Sequence, residues 1–119
     1  FCSTPMVALS RNVTKKQSME MLLTGNMIDA KTAKLYGLVN KVVLEEDLDN
    51  EIDILCESIK NKSHKTIAIG KKAFYKQLEL GVTEAYKYTS KIMTENMLQY
   101  DAQEGVSAFL EKRPPNWSE

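Results

Sequence analysis

Apolar positions recur along this chain at the three- and four-residue spacing of helices that bury one face, almost from its first residue to its last. Thr4 is placed to cap a short helix with Pro5 at its first position, where a missing N–H is harmless, followed by Met6, Val7, Ala8 and Leu9. Thr14 predicts the cap of a second helix, in which Ser18, Met19, Met21, Leu22 and Leu23 form a broad apolar face and Gly25 takes the left-handed C-terminal position. Asp29 opens a third over residues 30–36, and Gly37 ends it for the same stereochemical reason. Residues 38–43 are rich in β-branched side chains and predict one short strand, whose partner edge is expected upstream.

In the second half, Leu48, Ile52, Leu55 and Ile59 recur at helical spacing and predict a packed amphipathic helix over residues 47–60. Ser63 is the expected cap of the next, carrying Ile67, Ile69, Phe74 and Leu78, with Gly81 as its stop. A long helix over residues 82–100 aligns Val82, Ala85, Tyr86, Thr89, Met93, Met97 and Tyr100 in one stripe, a seam suited to another subunit. Asp101 and Glu104 have the spacing of a capping box, opening a last helix that Pro114 and Pro115 terminate, after which the tail leaves the fold or docks by Trp117. About six helices and one extended segment follow. With no repeat, low-complexity tract or linker, the pattern holds no second domain boundary.

Composition narrows the partners. Sixteen basic and sixteen acidic side chains cancel, leaving no long-range field to gather nucleic acid or an anionic membrane surface. No apolar run approaches the roughly 20 residues that span a bilayer. Cys2 and Cys56 stand far apart, without a C-x-x-C or histidine cluster, so they read as buried free thiols rather than a disulfide or zinc site. The first residues, Phe1-Cys2-Ser3-Thr4-Pro5, lack an initiator methionine and run straight into helical pattern, which suggests a cut through a longer protein and is equally compatible with a natural truncation.

Candidate chemistry is sparse. His64, the single histidine, lies among Lys62, Ser63 and Lys65 with no orienting carboxylate nearby in sequence, so it reads as solvent-exposed and non-catalytic. Glu45, Glu46, Asp47 and Asp49 form an acidic run that a helix N-terminus explains better than a metal. Met19, Met21, Met27, Met93 and Met97 read as core filler, with Met93 and Met97 the pair worth testing as pocket residues. Lys71, Lys72, Lys76, Lys112 and Arg113 could face phosphate groups, but no glycine-rich phosphate cradle accompanies them.

Two motifs carry a family resemblance. The stretch Met19-Glu20-Met21-Leu22-Leu23-Thr24-Gly25, then Ile28-Asp29-Ala30, Ala33 and Gly37-Leu38-Val39-Asn40-Lys41-Val42-Val43, resembles the crotonase-family pattern L-T-G followed by I-x-A-x-x-A-x-x-x-G-L-V-x-x-V. Glu104-Gly105-Val106-Ser107-Ala108-Phe109-Leu110-Glu111-Lys112-Arg113 is similar to the family's E-G-x-x-A-F-x-E-K-R. The opening F-C-S-T-P stands where many hydratases carry G-G-T-Q-R-L, and resembles a mitochondrial-type, hydratase-domain-containing branch whose members tend to lack the hydratase glutamates.

The resemblance implies a mainly α chain: the C-terminal helical (trimerisation) region of a crotonase/ClpP-like α/β spiral fold with one short strand. Residues 1–45 would end the spiral core and residues 46–119 would form the helical assembly region. The parent would be an enoyl-CoA hydratase/isomerase-like protein acting on acyl-CoA thioesters, with two backbone N–H groups holding the thioester oxygen as it gains charge. Those groups and any catalytic glutamates would precede Phe1, so this chain alone is expected to be inactive. No catalytic residue, metal ligand or cofactor other than the coenzyme A thioester substrate is expected on it. Phe109 would pack on the CoA adenine and Lys112 would stand near phosphate, against core and solvent as their plain alternatives; Met93 and Met97 correspond to the far end of the acyl pocket. The parent would be a homo-oligomer, a trimer or dimer of trimers, cytoplasmic if bacterial and mitochondrial if eukaryotic. Hydration, isomerisation and hydrolysis all stay open, and a non-catalytic helical assembly or acyl-CoA-binding module is the alternative.

Overall fold

The computed structural model describes residues 1–118, and they hold seven α-helices, one 3-10 turn and no β-strand. The helices are α1 (Pro5–Asn12), α2 (Lys15–Thr24), α3 (Ala30–Leu35), α4 (Leu48–Lys60), α5 (His64–Gln77), α6 (Val82–Met97) and α7 (Tyr100–Glu111), with the 3-10 turn at Glu45–Asp47 before α4. The chain divides into two compact units, Phe1–Glu51 and Ile52–Glu119.

In the first unit α1 packs on α2 across a corner at Val13, which is buried and donates its N–H to the Leu9 carbonyl. Thr14 caps α2 by accepting the Gln17 N–H at 3.4 Å, and Gly25 ends it at φ +64. Asp29 caps α3 through the Thr32 N–H at 2.7 Å, a bond that holds its carboxyl below the ordinary range. Gly37, at φ +80, closes α3 with two backbone bonds, its own N–H to Lys34 and that of Leu38 to Ala33, the Schellman arrangement. Thr4 departs from expectation: its backbone is itself helical, so its hydroxyl does not aim into the first turn and makes no cap bond.

Residues 38–43 are not a strand. They run without ladder hydrogen bonds among the described residues, since a strand needs a partner edge and none lies beside them. The acidic run occupies the 3-10 turn and the first turn of α4, where negative charge meets the helix N-terminus as expected. The packed face predicted for α4 is absent: Leu48, Ile52, Leu55 and Ile59 are exposed, and the helix contributes no buried residue.

In the second unit α5, α6 and α7 pack on one another around Ala73 and Ala108. Ser63 caps α5, accepting the Thr66 N–H at 3.1 Å. Gly81 does not stop α5, which ends at Gln77; it is the N-cap residue of α6. The long helix breaks after Met97, and Tyr100 belongs to α7, whose N-cap position is Gln99 rather than Asp101.

Burial is scant. Cys2 and Cys56 are exposed, not buried, and Met19, Met27, Met93 and Met97 are exposed rather than core filler. The chain exposes 10066 Å². A compact monomer of its 13.5 kDa would expose about 6,500 Å², and two compact bodies of half that mass about 7,900 Å². Apolar faces that would ordinarily be covered therefore remain open.

Candidate functional site

The site residues suggested by the resemblance fall in two places within the second unit. Phe109 lies in the last turn of α7 and Lys112 directly follows the end of that helix. Phe109 is 82% exposed and lies outside the core of this chain. Lys112 is also exposed, and sits at φ +54, ψ +39, the left-handed region. Its N–H bonds to the Phe109 carbonyl at 3.3 Å and the Arg113 N–H to the Ala108 carbonyl at 3.0 Å. That is the same motif that Gly37 closes, with a lysine in the glycine position.

Directly after Lys112 the chain is clasped back onto α7. Arg113 donates Nη1 to Glu104 Oε1 at 2.6 Å and Nη2 to Glu104 Oε2 at 3.0 Å, a bidentate pair, while Nε reaches Glu111 at 2.6 Å. Glu104 also accepts the Asn116 N–H at 2.7 Å. The Arg113 guanidinium, then the Asn116 N–H, lower the Glu104 pKa to about 2. The two carboxylates in turn raise the pKa of Arg113 above its usual value.

One turn earlier, Asp101 is buried and gathers the Ser63 hydroxyl and the Ser118 N–H, the latter at 2.8 Å. The Ser63 bond, then the Ser118 N–H, hold its carboxyl below the ordinary range. Lys65 Nζ donates to the Ser118 hydroxyl at 2.9 Å, and the Trp117 indole N–H to the Asn61 carbonyl at 2.9 Å. The tail docks by Trp117; Glu119 lies outside the described residues. Asp101 and Glu104 are thus not a capping box. The helix starts ahead of Asp101, so its carboxylate faces α5 and the tail rather than the free N–H groups of its own first turn.

Met93 and Met97 lie one turn apart on α6. Met97 lines a cavity of about 460 Å³ with Ile67, Ala102, Val106 and Trp117, and Met93 a separate one of about 290 Å³ with Ile69, Gly70 and Ile92. Neither Phe109 nor Lys112 lines either cavity, so the two pairs do not converge. Asn96 faces both cavities, and its side-chain oxygen is buried without a hydrogen-bond partner among the described residues.

Of the other cationic candidates, Lys76 lies 4.9 Å from the Tyr88 ring, Lys71 and Lys72 are exposed on α5, and Arg113 is consumed by its two carboxylates. His64 is exposed at the first position of α5. Among the described residues no group of three or more His, Cys, Asp or Glu is arranged to hold a metal, and no helix is long and apolar enough to cross a membrane. The Ser63–Asp101 bond and the Glu104–Arg113 clasp went unforeseen. Their partners are 38 and 9 residues apart, and no periodicity links them.

Comparison with known proteins gives the family. The family described as enoyl-CoA hydratase/isomerase matches residues 2–119. The mitochondrial enoyl-CoA hydratase domain-containing protein 3 of Xenopus laevis is 48% identical over 118 residues, covering 99% of this chain and 40% of that protein. Its Homo sapiens counterpart is 47% identical over 118 residues, covering 99% and 39%. A crystal structure of a Mycobacterium smegmatis enoyl-CoA hydratase matches at a TM-score of 0.96 and 50% identity, over 98% of this chain and 46% of that one. The crystal structure of human enoyl coenzyme A hydratase domain-containing protein 3 matches at 0.94 and 46%, over the same shares. The chain spans about two fifths of the length of the curated relatives it matches.

Proposed function

The chain belongs to the enoyl-CoA hydratase/isomerase family, and on that premise we propose that it is the C-terminal part of a protein acting on acyl-CoA thioesters. In this reading residues 1–45 end the crotonase spiral and residues 46–119 form the helical assembly region. Activation of the thioester falls to an oxyanion hole upstream of Phe1, where preformed N–H donors stabilise the developing enolate. Phe109 and Lys112 serve the nucleotide end of coenzyme A, the ring against adenine and the ammonium near phosphate. Met93 and Met97 approach the acyl tail.

The observation that carries the reading is the family match along residues 2–119 by a chain that spans only 40% of a relative. Exposure of Phe109 and Lys112 at the end of α7 supports their pairing, since both can reach a ligand without repacking a core. The test is turnover of acyl-CoA thioesters, by hydration, isomerisation or hydrolysis, by the chain alone and by the chain joined to the upstream half of a relative. Activity only in the joined form is expected; turnover by the isolated chain would overturn the division of labour.

A second reading, a non-catalytic assembly module, is favoured by the open stripe on α6, where Val82, Tyr86 and Met93 are exposed. Sedimentation at rising concentration decides it. A chain that stays monomeric throughout would exclude a self-assembling module.

A further inference from the structure

We propose that Glu104 is a positioning residue which, through Arg113, holds Lys112 in its left-handed conformation and thereby sets how the Lys112 ammonium is presented to the coenzyme A nucleotide. The proposal rests on the coenzyme A reading above.

Helices α3 and α7 end in the same two-bond motif, one with Gly37 at φ +80 and the other with Lys112 at φ +54. Glycine occupies that region freely, whereas a residue with a Cβ is strained there. Lys112 is the one non-glycine residue with positive φ among those described. A strained residue persists only where its surroundings over-determine it.

Those surroundings are specific to α7. Arg113 is fixed through its backbone N–H to Ala108, its fork to Glu104, its Nε to Glu111 and an Nη1 bond to the Pro114 carbonyl at 3.2 Å. Glu104 takes the next available N–H, that of Asn116, so the chain is pinned on the far side of Lys112 as well. With the Phe109 turn on one side and the clasp on the other, the backbone is tied down on both sides of residue 112. The planar guanidinium suits the task because its two parallel donors fix direction as well as distance. Among the described residues the Lys112 ammonium makes no ion pair. A helix end that needed only to stop would be served by glycine, as α3 is. Keeping a lysine there, with three side chains recruited to hold it, is explained if the lysine acts on something outside the fold.

The test is a thermodynamic cycle on the full chain. Glu104→Gln preserves shape and removes the charge of the clasp; Lys112→Gly removes both the strain and the ammonium. Coenzyme A affinity is measured for the wild type, both single variants and the double variant, with helix content checked by circular dichroism. Glu104→Gln is expected to weaken binding about tenfold in the wild-type background, the scale of one displaced charged contact, and to have no further effect on Lys112→Gly. Equal weakening in both backgrounds would mean a general structural role and overturn the proposal. The conformation of Lys112 is read separately from its Cα chemical shift and HN–Hα coupling. Loss of the left-handed signature in Glu104→Gln is expected, and its retention would also overturn the proposal. Absence of coenzyme A binding by the wild type would defeat the ligand reading, while the coupling measurement would still decide whether Glu104 fixes Lys112.

Discussion

The indole of Trp117 rests against the bare backbone of Gly105. A Cβ built at Gly105 would meet Cη2 of Trp117 at 3.3 Å and Cζ3 at 3.4 Å, while the same indole donates its N–H to the Asn61 carbonyl. Gly105 lies inside α7, where glycine costs about 1 kcal/mol relative to alanine, so the tail and the helix make opposing demands on this position. Gly105→Ala should therefore change stability by less than about 1 kcal/mol, propensity offsetting the tight contact. Gly105→Leu should displace the ring, cost about 1–3 kcal/mol and shift the emission of this single tryptophan to the red. Thermal melts and fluorescence check both. Leucine accommodated with unchanged emission would contradict the contact.

The clasp should weaken in acid. The Glu104 carboxyl is held at about 2 in the folded chain, against an ordinary value of about 4.3, and Asp101 is shifted in the same direction. A carboxylate lowered by folding adds stability above its unfolded pKa and loses it as pH falls through the folded one. The melting temperature should thus be level above about pH 5 and decline from about pH 4.3 towards pH 2, with Trp117 emission reddening over the same window. In Glu104→Gln the part of the decline owed to residue 104 should vanish. A melting temperature in the wild type that is flat down to pH 2 would refute the clasp.

Cap strengths should rank by their partners. Thr14 makes a long bond of 3.4 Å at an exposed helix start, whereas Ser63 caps α5 at 3.1 Å and also donates to buried Asp101. Thr14→Ala should cost at most about 1 kcal/mol, and Ser63→Ala more than Thr14→Ala, because it removes a cap and strips Asp101 of a donor. Chemical denaturation of the two variants gives the order. Equal losses would contradict the Ser63–Asp101 link.

Relief of strain gives an opposite sign at residue 112. Lys112→Gly should stabilise the chain by about 1 kcal/mol while weakening its hold on coenzyme A. A destabilised variant in thermal melts would argue that left-handed Lys112 is not strained.

Much of this was legible from local chemistry. Thr14, Asp29 and Ser63 cap where short polar side chains precede helical pattern, and Gly25 and Gly37 end helices where a left-handed residue is needed. What failed was whatever depended on distant groups. Asp101 and Glu104 have capping-box spacing, but Ser63, Ser118, Arg113 and Asn116 compete for their oxygens, and those partners come from other parts of the chain. Apolar spacing on α4 and the methionines predicted burial, yet periodicity reports which face is apolar and not whether anything covers it. The β-branched run at residues 38–43 met the same limit, lacking an edge to pair with. Phe109 emerged from motif resemblance alone, and Lys112 was singled out from the other lysines only by it; nothing in their spacing marks a ligand.

Calorimetric titration of coenzyme A into the isolated chain, with Phe109→Ala and Lys112→Ala alongside, tests the central claim most directly. Saturable binding that each substitution weakens, with no turnover of crotonyl-CoA in the same samples, is the predicted result. Failure to bind at millimolar ligand, or binding indifferent to both residues, would contradict the assignment of this turn of α7 to the nucleotide.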